Sequence, residues 1–484
     1  MKNKLHIFFC TLILSGLFVN GQNNTFSPYS RYGLGELNQP TFAHNAGMGG
    51  AFIAYKPDSL MPNFINTGNP AAYALIKFTT LEVGGKFTYS NFSGNSASLK
   101  KWGANFAYGA LGFPIRNKGG ACFGIMPYTN VGYDLKSVNT EANIGDVTYL
   151  YSGTGGLNKV FIGYGVMPFG ERLIKFRKKN LYIPDSLKRL ANFGYKSREV
   201  LSKLLSDFSI GVNGNYIFGT IGQTARVVYP NSLLYNNSYR ERNISLGDFT
   251  ANFGMQTALT IDSVKNKDKN HAGKRRALKE KVKITFGAFI TLNNPLKATY
   301  DASSYNYILN GFGQEILRDT VFYTPNQKNT VRLPLEQGVG IGFKKGERIN
   351  IASDFAITNW QNFKFLDNVN SYKNNYRFAI GINYVPEKYA AGNGAFFKRI
   401  NYRFGANYNT GFIQLNNNTL VTSYAITAGV GLPVGIGRLS SMVNISAQYG
   451  IMGPANQSAT KENFWRVNFG FTFCDRWFQK FRYD

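Results

Sequence analysis

Little in this chain is equipped for bond-making chemistry. Of its three histidines, His6 falls in an apolar N-terminal leader, which leaves His44 and His271. Hydrolysis by a serine nucleophile needs a histidine held beside it and oriented by a third group. His44 lies in loop-like sequence and His271 in a lysine-rich run, both away from strand-patterned segments. Metal sites need His, Cys or carboxylates clustered at ligand spacing, and no such cluster occurs. Gly429, Gly431 and Gly435 sit in strand-like sequence without the lysine of a phosphate-cradling loop. Cys122 and Cys474 are too far apart to form a disulfide framework, so two free or buried thiols are expected. The sequence is read as a non-enzyme with no catalytic residues, no metal and no cofactor.

What remains is chemistry of shape and charge. Gly49 and Gly50 close a glycine-rich stretch, and Asn69-Pro70-Ala71 follows about twenty residues later. Asn and Pro also make ordinary turns. Pro127, between Met126 and Tyr128, interrupts an otherwise alternating run. Proline lacks a ladder donor, so inside a sheet it marks an edge, a bulge or a break. Two basic runs stand out. Ten Lys or Arg fall between Arg172 and Lys203, and a second group spans 264–283. Such runs bind phosphate or lipid, or are merely solvated, and near an anionic lipopolysaccharide surface solvated lysines need no specific role.

The elements that carry these residues are strands. Gly accounts for 52 of 484 residues, aromatics for 15% and charged residues for only 17%. That composition disfavours both a disordered chain and an ordinary helical enzyme. Trp465, Val467, Phe469, Phe471 and Phe473 alternate with Arg466, Asn468, Gly470 and Thr472. Leu81, Val83, Phe87 and Tyr89 do the same, as do Trp102, Ala104, Phe106 and Tyr108, and Phe208, Ile210, Val212, Tyr216 and Phe218. Side chains alternate between the two faces of a strand, so each run has one apolar face and one small or polar face. About fourteen such runs recur between 80 and 473. A sandwich or propeller would turn the apolar face inward, whereas a transmembrane barrel turns it to lipid. The polar face is rich in Gly, Asn, Ser and Thr, several runs exceed ten residues, and no blade-length repeat occurs. The fold class is therefore all-β, a transmembrane antiparallel barrel of about fourteen strands. Lys2, Lys4 and the apolar run Leu5–Val19 predict a secretory signal over 1–21. With export, the surplus of 54 Lys and Arg over 26 Asp and Glu points to anionic lipid and not to nucleic acid.

Several short motifs carry a family likeness. Gly47-Met48-Gly49-Gly50-Ala51-Phe52 followed by Asn69-Pro70-Ala71-Ala72 resembles the N-terminal hatch of FadL-like outer-membrane transporters. Gly155-Gly156-Leu157-Asn158 and Ile210-Gly211-Val212-Asn213 are similar to that family as well. The resemblance implies a fourteen-stranded barrel in the outer membrane, plugged from the periplasmic side. It makes Asn69, Pro70, Ala71, Gly49 and Gly50 candidate hatch and gate residues. A kink in the third strand opens a lateral portal in that family, which makes Gly124, Pro127 and Gly132 portal candidates. A bulge that only shapes the wall is the simpler reading of Pro127. Asp475-Arg476-Trp477-Phe478 is similar to the ends of FadL-related barrels in lineages with type IX secretion, where one PorV-like branch serves protein secretion and not nutrient uptake.

The expected organisation is a signal peptide (1–21), a hatch (22–76), a barrel (77–473) with a basic helical insertion (171–207), and a tail (474–484). The expected function is passive uptake of small hydrophobic compounds such as long-chain fatty acids. The alternative is a non-transporting component of a secretion or barrel-assembly complex. Expected partners are outer-membrane lipid, lipopolysaccharide, hydrophobic small molecules and other outer-membrane proteins. The tryptophans are expected in interfacial girdles.

Overall fold

The computed structural model describes residues 25–57, 64–94, 98–115, 119–169, 200–230, 234–262, 281–310, 312–361, 363–365, 372–392, 394–415, 419–434, 441–454 and 460–477. The signal segment, His271, Gly435, most of both basic runs and most of the tail lie outside the described residues.

Fourteen antiparallel strands close into a wall. They are β2 (Thr79–Ser93), β3 (Ser98–Ile115), β4 (Gly119–Glu141), β5 (Gly145–Val166), β6 (Ser209–Val228), β7 (Asn237–Asp262), β8 (Lys281–Thr291), β11 (Leu335–Lys345), β12 (Ile349–Asn359), β13 (Asn375–Tyr384), β14 (Asn401–Asn409), β15 (Val421–Val434), β16 (Ser441–Pro454) and β17 (Lys461–Asp475). Each pairs with the next wall strand, β8 pairs with β11, and β17 closes on β2 from Lys461↔Ser93 to Asp475↔Thr79. Closure pairs both edges of the sheet along most of the wall. A two-residue strand, β1 (Glu36–Leu37), belongs to the N-terminal segment.

The alternation seen in the sequence sets the faces. Trp465, Phe469, Phe471 and Phe473 are exposed on the outside of β17, while Phe464, Gly470 and Thr472 are buried on the inside. The same outward belt continues through Ile162, Phe249, Ile341, Ile380, Phe404 and Ile426. One run breaks phase. Gly84 pairs with Tyr108 and Gly85 with Phe106, so Ala107 is an extra residue in β3. A bulge of this kind flips everything after it. Trp102 and Phe106 therefore face out, but Tyr108 turns inward and stacks on Phe42, ring centroids 3.8 Å apart.

The wall is uneven. β11 to β14 run 9 to 11 residues, enough to cross a bilayer. β4, β5 and β7 run 23, 22 and 26, so one side stands well above the other. The lower half of β7 pairs with β8, while its upper part, Asn237–Leu246, pairs with β9 (Pro295–Leu309). β9 in turn pairs with β10 (Glu315–Arg332). This hairpin, which the sequence pattern did not reveal, stands outside the closed wall at the end opposite Thr79 and Asp475. The strands that bracket the two basic runs, β5/β6 and β7/β8, meet them at the Thr79–Asp475 end.

Candidate functional site

The N-terminal segment lies in the lumen on a seat of glycines. The 3₁₀ turn Pro70–Leu75 is capped by Asn69, whose Oδ1 accepts from the Ala71 amide at 3.2 Å. Beneath it Gly120, Gly165, Gly211 and Gly254 are paired directly across β4, β5, β6 and β7. A Cβ on Gly211 would stand 2.4 Å from the Pro70 carbonyl carbon, and one on Gly120 would stand 2.1 Å from the Tyr73 oxygen. Only a row without side chains lets backbone approach backbone this closely. The Asn69 amide donates to Ile53 O at 2.8 Å and to Met255 O and Ala288 O on the wall, both at 3.3 Å.

A second seat holds Met48–Phe52. Gly381 and Gly405, paired across β13 and β14, lie against Met48 and Gly49. Gly49 and Gly50 both have positive φ, 67° and 76°, a turn that residues with a Cβ resist. The Gly49 amide donates to Thr427 Oγ1 at 2.8 Å and its carbonyl accepts from Asn407 at 3.1 Å. Arg377 donates to the Gly50 carbonyl at 3.2 Å and lies over the Phe52 ring. Asp354 of β12 accepts the amides of Phe52 and Ile53 at 2.6 and 2.9 Å. All five predicted gate residues thus touch the wall.

Charge reinforces the seating. Glu82 accepts the Ile65 amide at 2.8 Å and sits 3.6 Å from His44, which is fully buried beside the Phe64 ring. Glu36 meets Arg466 at 2.5 Å and accepts from Thr25 at 2.8 Å. Burial pushes the Glu36 carboxyl up, but Arg466 and Lys86 beside it outweigh that and hold it below its ordinary value. Glu462 accepts from Ser27 and Ser90, each at 2.8 Å. His44 is thus packed in the core between the Phe64 ring and Glu82.

The wall parts at one place. β3 and β4 pair only from Gly109↔Ile125 to Ile115↔Gly119. Beyond Ile125, β4 continues without β3, and β1 takes part of its free edge through Glu36↔Asn130 and Leu37↔Thr129. Tyr128 is an extra residue in β4, because Pro127 pairs with Asn158 and Thr129 with Leu157. Pro127 thus marks both a bulge and the point of separation. Gly124 lies just before the split, where a Cβ would meet Gly109 O at 2.4 Å. Gly132 lies beyond it, tied to the N-terminal segment through Ser30 Oγ at 3.1 Å.

Inside the split lies a cavity of about 330 Å3. It is lined by Lys86, Lys159, Arg377, Arg466, Glu36 and Glu336, by asparagines including Asn215, Asn252 and Asn409, and by Phe106 and Met126–Tyr128 at the gap. At the end opposite Thr79, an apolar cluster caps the lumen with Leu34, Ile217, Ile221, Leu296 and Trp360. Trp360 is buried at 0% exposure and stacks on Phe412, so it belongs to this cap and not to a girdle. Trp102, Trp465 and Trp477 are exposed. The inward charges Glu82, Asp354, Arg377, Arg403 and Arg466 went unnoticed in the sequence because each stands alone. Their signal was position: each occupies the small or polar phase between outward apolar residues.

A closed wall with an outward apolar belt defines an outer-membrane β-barrel. The family is given by sequence: the BamG family model matches residues 1–174 and 199–484, and the chain belongs to that family. No curated protein matches the chain. Among solved structures, the P. putida toluene transporter TodX is 12% identical, covers 90% of this chain and 99% of its own, and gives a TM-score of 0.52. The Ralstonia pickettii toluene transporter TbuX is 11% identical over 90% of this chain and 98% of its own, with a TM-score of 0.49. A Pseudomonas aeruginosa FadL homologue is 12% identical over 90% and 99%, with a TM-score of 0.48. The TodX likeness gives the fold, that of the hydrophobic-compound transporters, and the fold class read from the sequence stands.

Proposed function

We propose that this barrel is a closed, non-transporting component of an outer-membrane complex for protein secretion or barrel assembly. The observation that carries the reading is the lumen. Its N-terminal segment is seated backbone to backbone on wall glycines, and the cavity inside the β3–β4 split is lined by six charged side chains. An apolar solute gains by leaving water for apolar surface, but here it would also cover six charged side chains and several asparagines, whose lost hydration opposes that gain. The β9/β10 hairpin supports a protein partner. It stands outside the wall and exposes Leu317, Val321 and Tyr323, apolar surface beyond the lipid belt of the kind that marks interaction sites. The strands that bracket the basic runs end on the side where β17 finishes at Asp475, which favours a partner there over lipopolysaccharide at the other end.

The test is flux. Proteoliposomes holding the purified barrel should take up toluene and oleate no faster than empty liposomes and show no stepwise ion conductance. Saturable uptake would overturn the reading.

One observation favours passive uptake of small hydrophobic compounds, long-chain fatty acids among them. The split between β3 and β4 at Pro127 and Tyr128 adjoins the cavity, and Phe106, which lines it, is also exposed on the outside. On that reading Gly124, Pro127 and Gly132 shape a lateral portal, and the seat at Gly49, Gly50 and Asn69–Ala71 acts as its gate.

A further inference from the structure

We infer that the lumen cavity is an anion site, in which Lys159 and Arg377 take a phosphate or carboxylate group. Four cations, Lys86, Lys159, Arg377 and Arg466, line the cavity with two carboxylates, Glu36 and Glu336, and behind the lining Glu462 is set against Arg466 and Asp354 against Arg377. On one side the charges are committed. Arg466 holds Glu36 at 2.5 Å, and Lys86 donates to Asn38 at 3.1 Å.

On the other side they are not. Lys159 and Arg377 both lie near Glu336, yet among the described residues neither forms an ion pair with it. Arg377 is only 6% exposed. Its Nη1 is spent on the Gly50 carbonyl and its guanidinium lies on Phe52, but among the described residues its Nη2 has no hydrogen-bond partner. Asp354, the carboxylate on its other flank, takes the amides of Phe52 and Ile53 on Oδ2, while its Oδ1 has no hydrogen-bond partner among the described residues. A buried guanidinium nitrogen without an acceptor is costly, and an oxyanion reaching both Arg377 Nη2 and Lys159 would remove that cost. Arginine and lysine are the residues that hold such groups. Asn215, whose buried Oδ1 also lacks a partner, lies on the same cavity and offers an acceptor to a hydroxyl. A volume of about 330 Å3 is at the small end for ligand sites and leaves room for more than the anionic group itself.

Two sources supply this chemistry. A soluble anion could enter from water, or a lipid could place its head group in the cavity through the split beside Phe106 while its acyl chains stay in the bilayer. The experiment separates them. Purified full-length protein in mild detergent is titrated with inorganic phosphate by calorimetry. It is then titrated with dioleoylphosphatidylglycerol by native mass spectrometry, with dioleoylglycerol as the phosphate-free control. Phosphate binding, or a single phosphatidylglycerol adduct without a diacylglycerol adduct, is expected. Lys159→Met should weaken either at least tenfold. Lys159 makes no described hydrogen bond or ion pair, so this variant keeps the fold, and Arg377→Lys provides a second reading. Phosphatidylglycerol alone would identify a lipid site, and phosphate alone a soluble anion. Binding of neither, equal binding of diacylglycerol, or binding unchanged in Lys159→Met would overturn the assignment.

Discussion

The Oδ1 of Asn69 stands 2.0 Å from the place a Cβ on Gly254 would occupy. One residue is in the N-terminal segment and the other in the wall, and their fit is set by an absent side chain. The same holds around the lumen, with Gly287 against Ile53 and Gly381 against Met48. The barrel and its contents are thus packed as one body.

Gly254→Ala should therefore behave as an overpacked core, not as a neutral wall change. Overpacking costs about 1–3 kcal/mol, and Gly211→Val should cost more, because its Cβ meets backbone and not a movable side chain. Thermal unfolding of the detergent-solubilised barrel, with an outward control such as Ile380→Val, measures both.

Asn69→Ala removes a cap and three donated contacts together. A loss of about 1–3 kcal/mol is expected from stranded buried partners. Hydrogen exchange should rise first at the 3₁₀ turn Pro70–Leu75, while the β12 and β13 amides remain protected.

Asp354→Ala strands the buried amides of Phe52 and Ile53, and the expected cost is about 2–5 kcal/mol. Asp354→Asn keeps an acceptor and should lose less. Chemical denaturation curves of the two variants provide the ranking.

Glu36 gives a pH signature. Its carboxyl titrates lower in the folded protein than in the unfolded chain. The stability it contributes is thus complete above the ordinary glutamate value, about 4.3, and is lost as pH falls through the lower folded value. Wild type should be more stable than Glu36→Gln at pH 7, and the two should converge as pH drops below about 4. Unfolding midpoints across that range, with Arg466→Met expected to erase the difference, check the sign.

How far the sequence disclosed this architecture depends on which residues carried it. The β17 alternation of Trp465 to Phe473 is legible because lipid outside and small residues inside leave a strict period of two. Tyr108 was misplaced because one bulge at Ala107 inverts the phase, and an inserted residue leaves no mark in composition. The β9/β10 hairpin escaped because almost all of β10 is exposed, so no buried face imposes alternation. Gly49, Gly50 and Asn69–Ala71 stood out only through the family resemblance, and in the structure the two glycines have positive φ and Asn69 caps the 3₁₀ turn. Asp354, Arg377 and Arg466 did not stand out, since a lone charge acquires its meaning only when closure brings distant strands together. Pro127 was informative in both respects, marking a bulge and the end of the β3–β4 ladder.

The proposed role, part of an assembly and not a conduit, can be tested on the native protein. The direct measurement is native mass spectrometry of the protein extracted from its own outer membrane in mild detergent. The account predicts a stoichiometric complex with other outer-membrane proteins, with no fatty acid or aromatic hydrocarbon bound in the barrel. A monomer carrying such a compound would contradict it and leave passive uptake through the Pro127 split as the better reading.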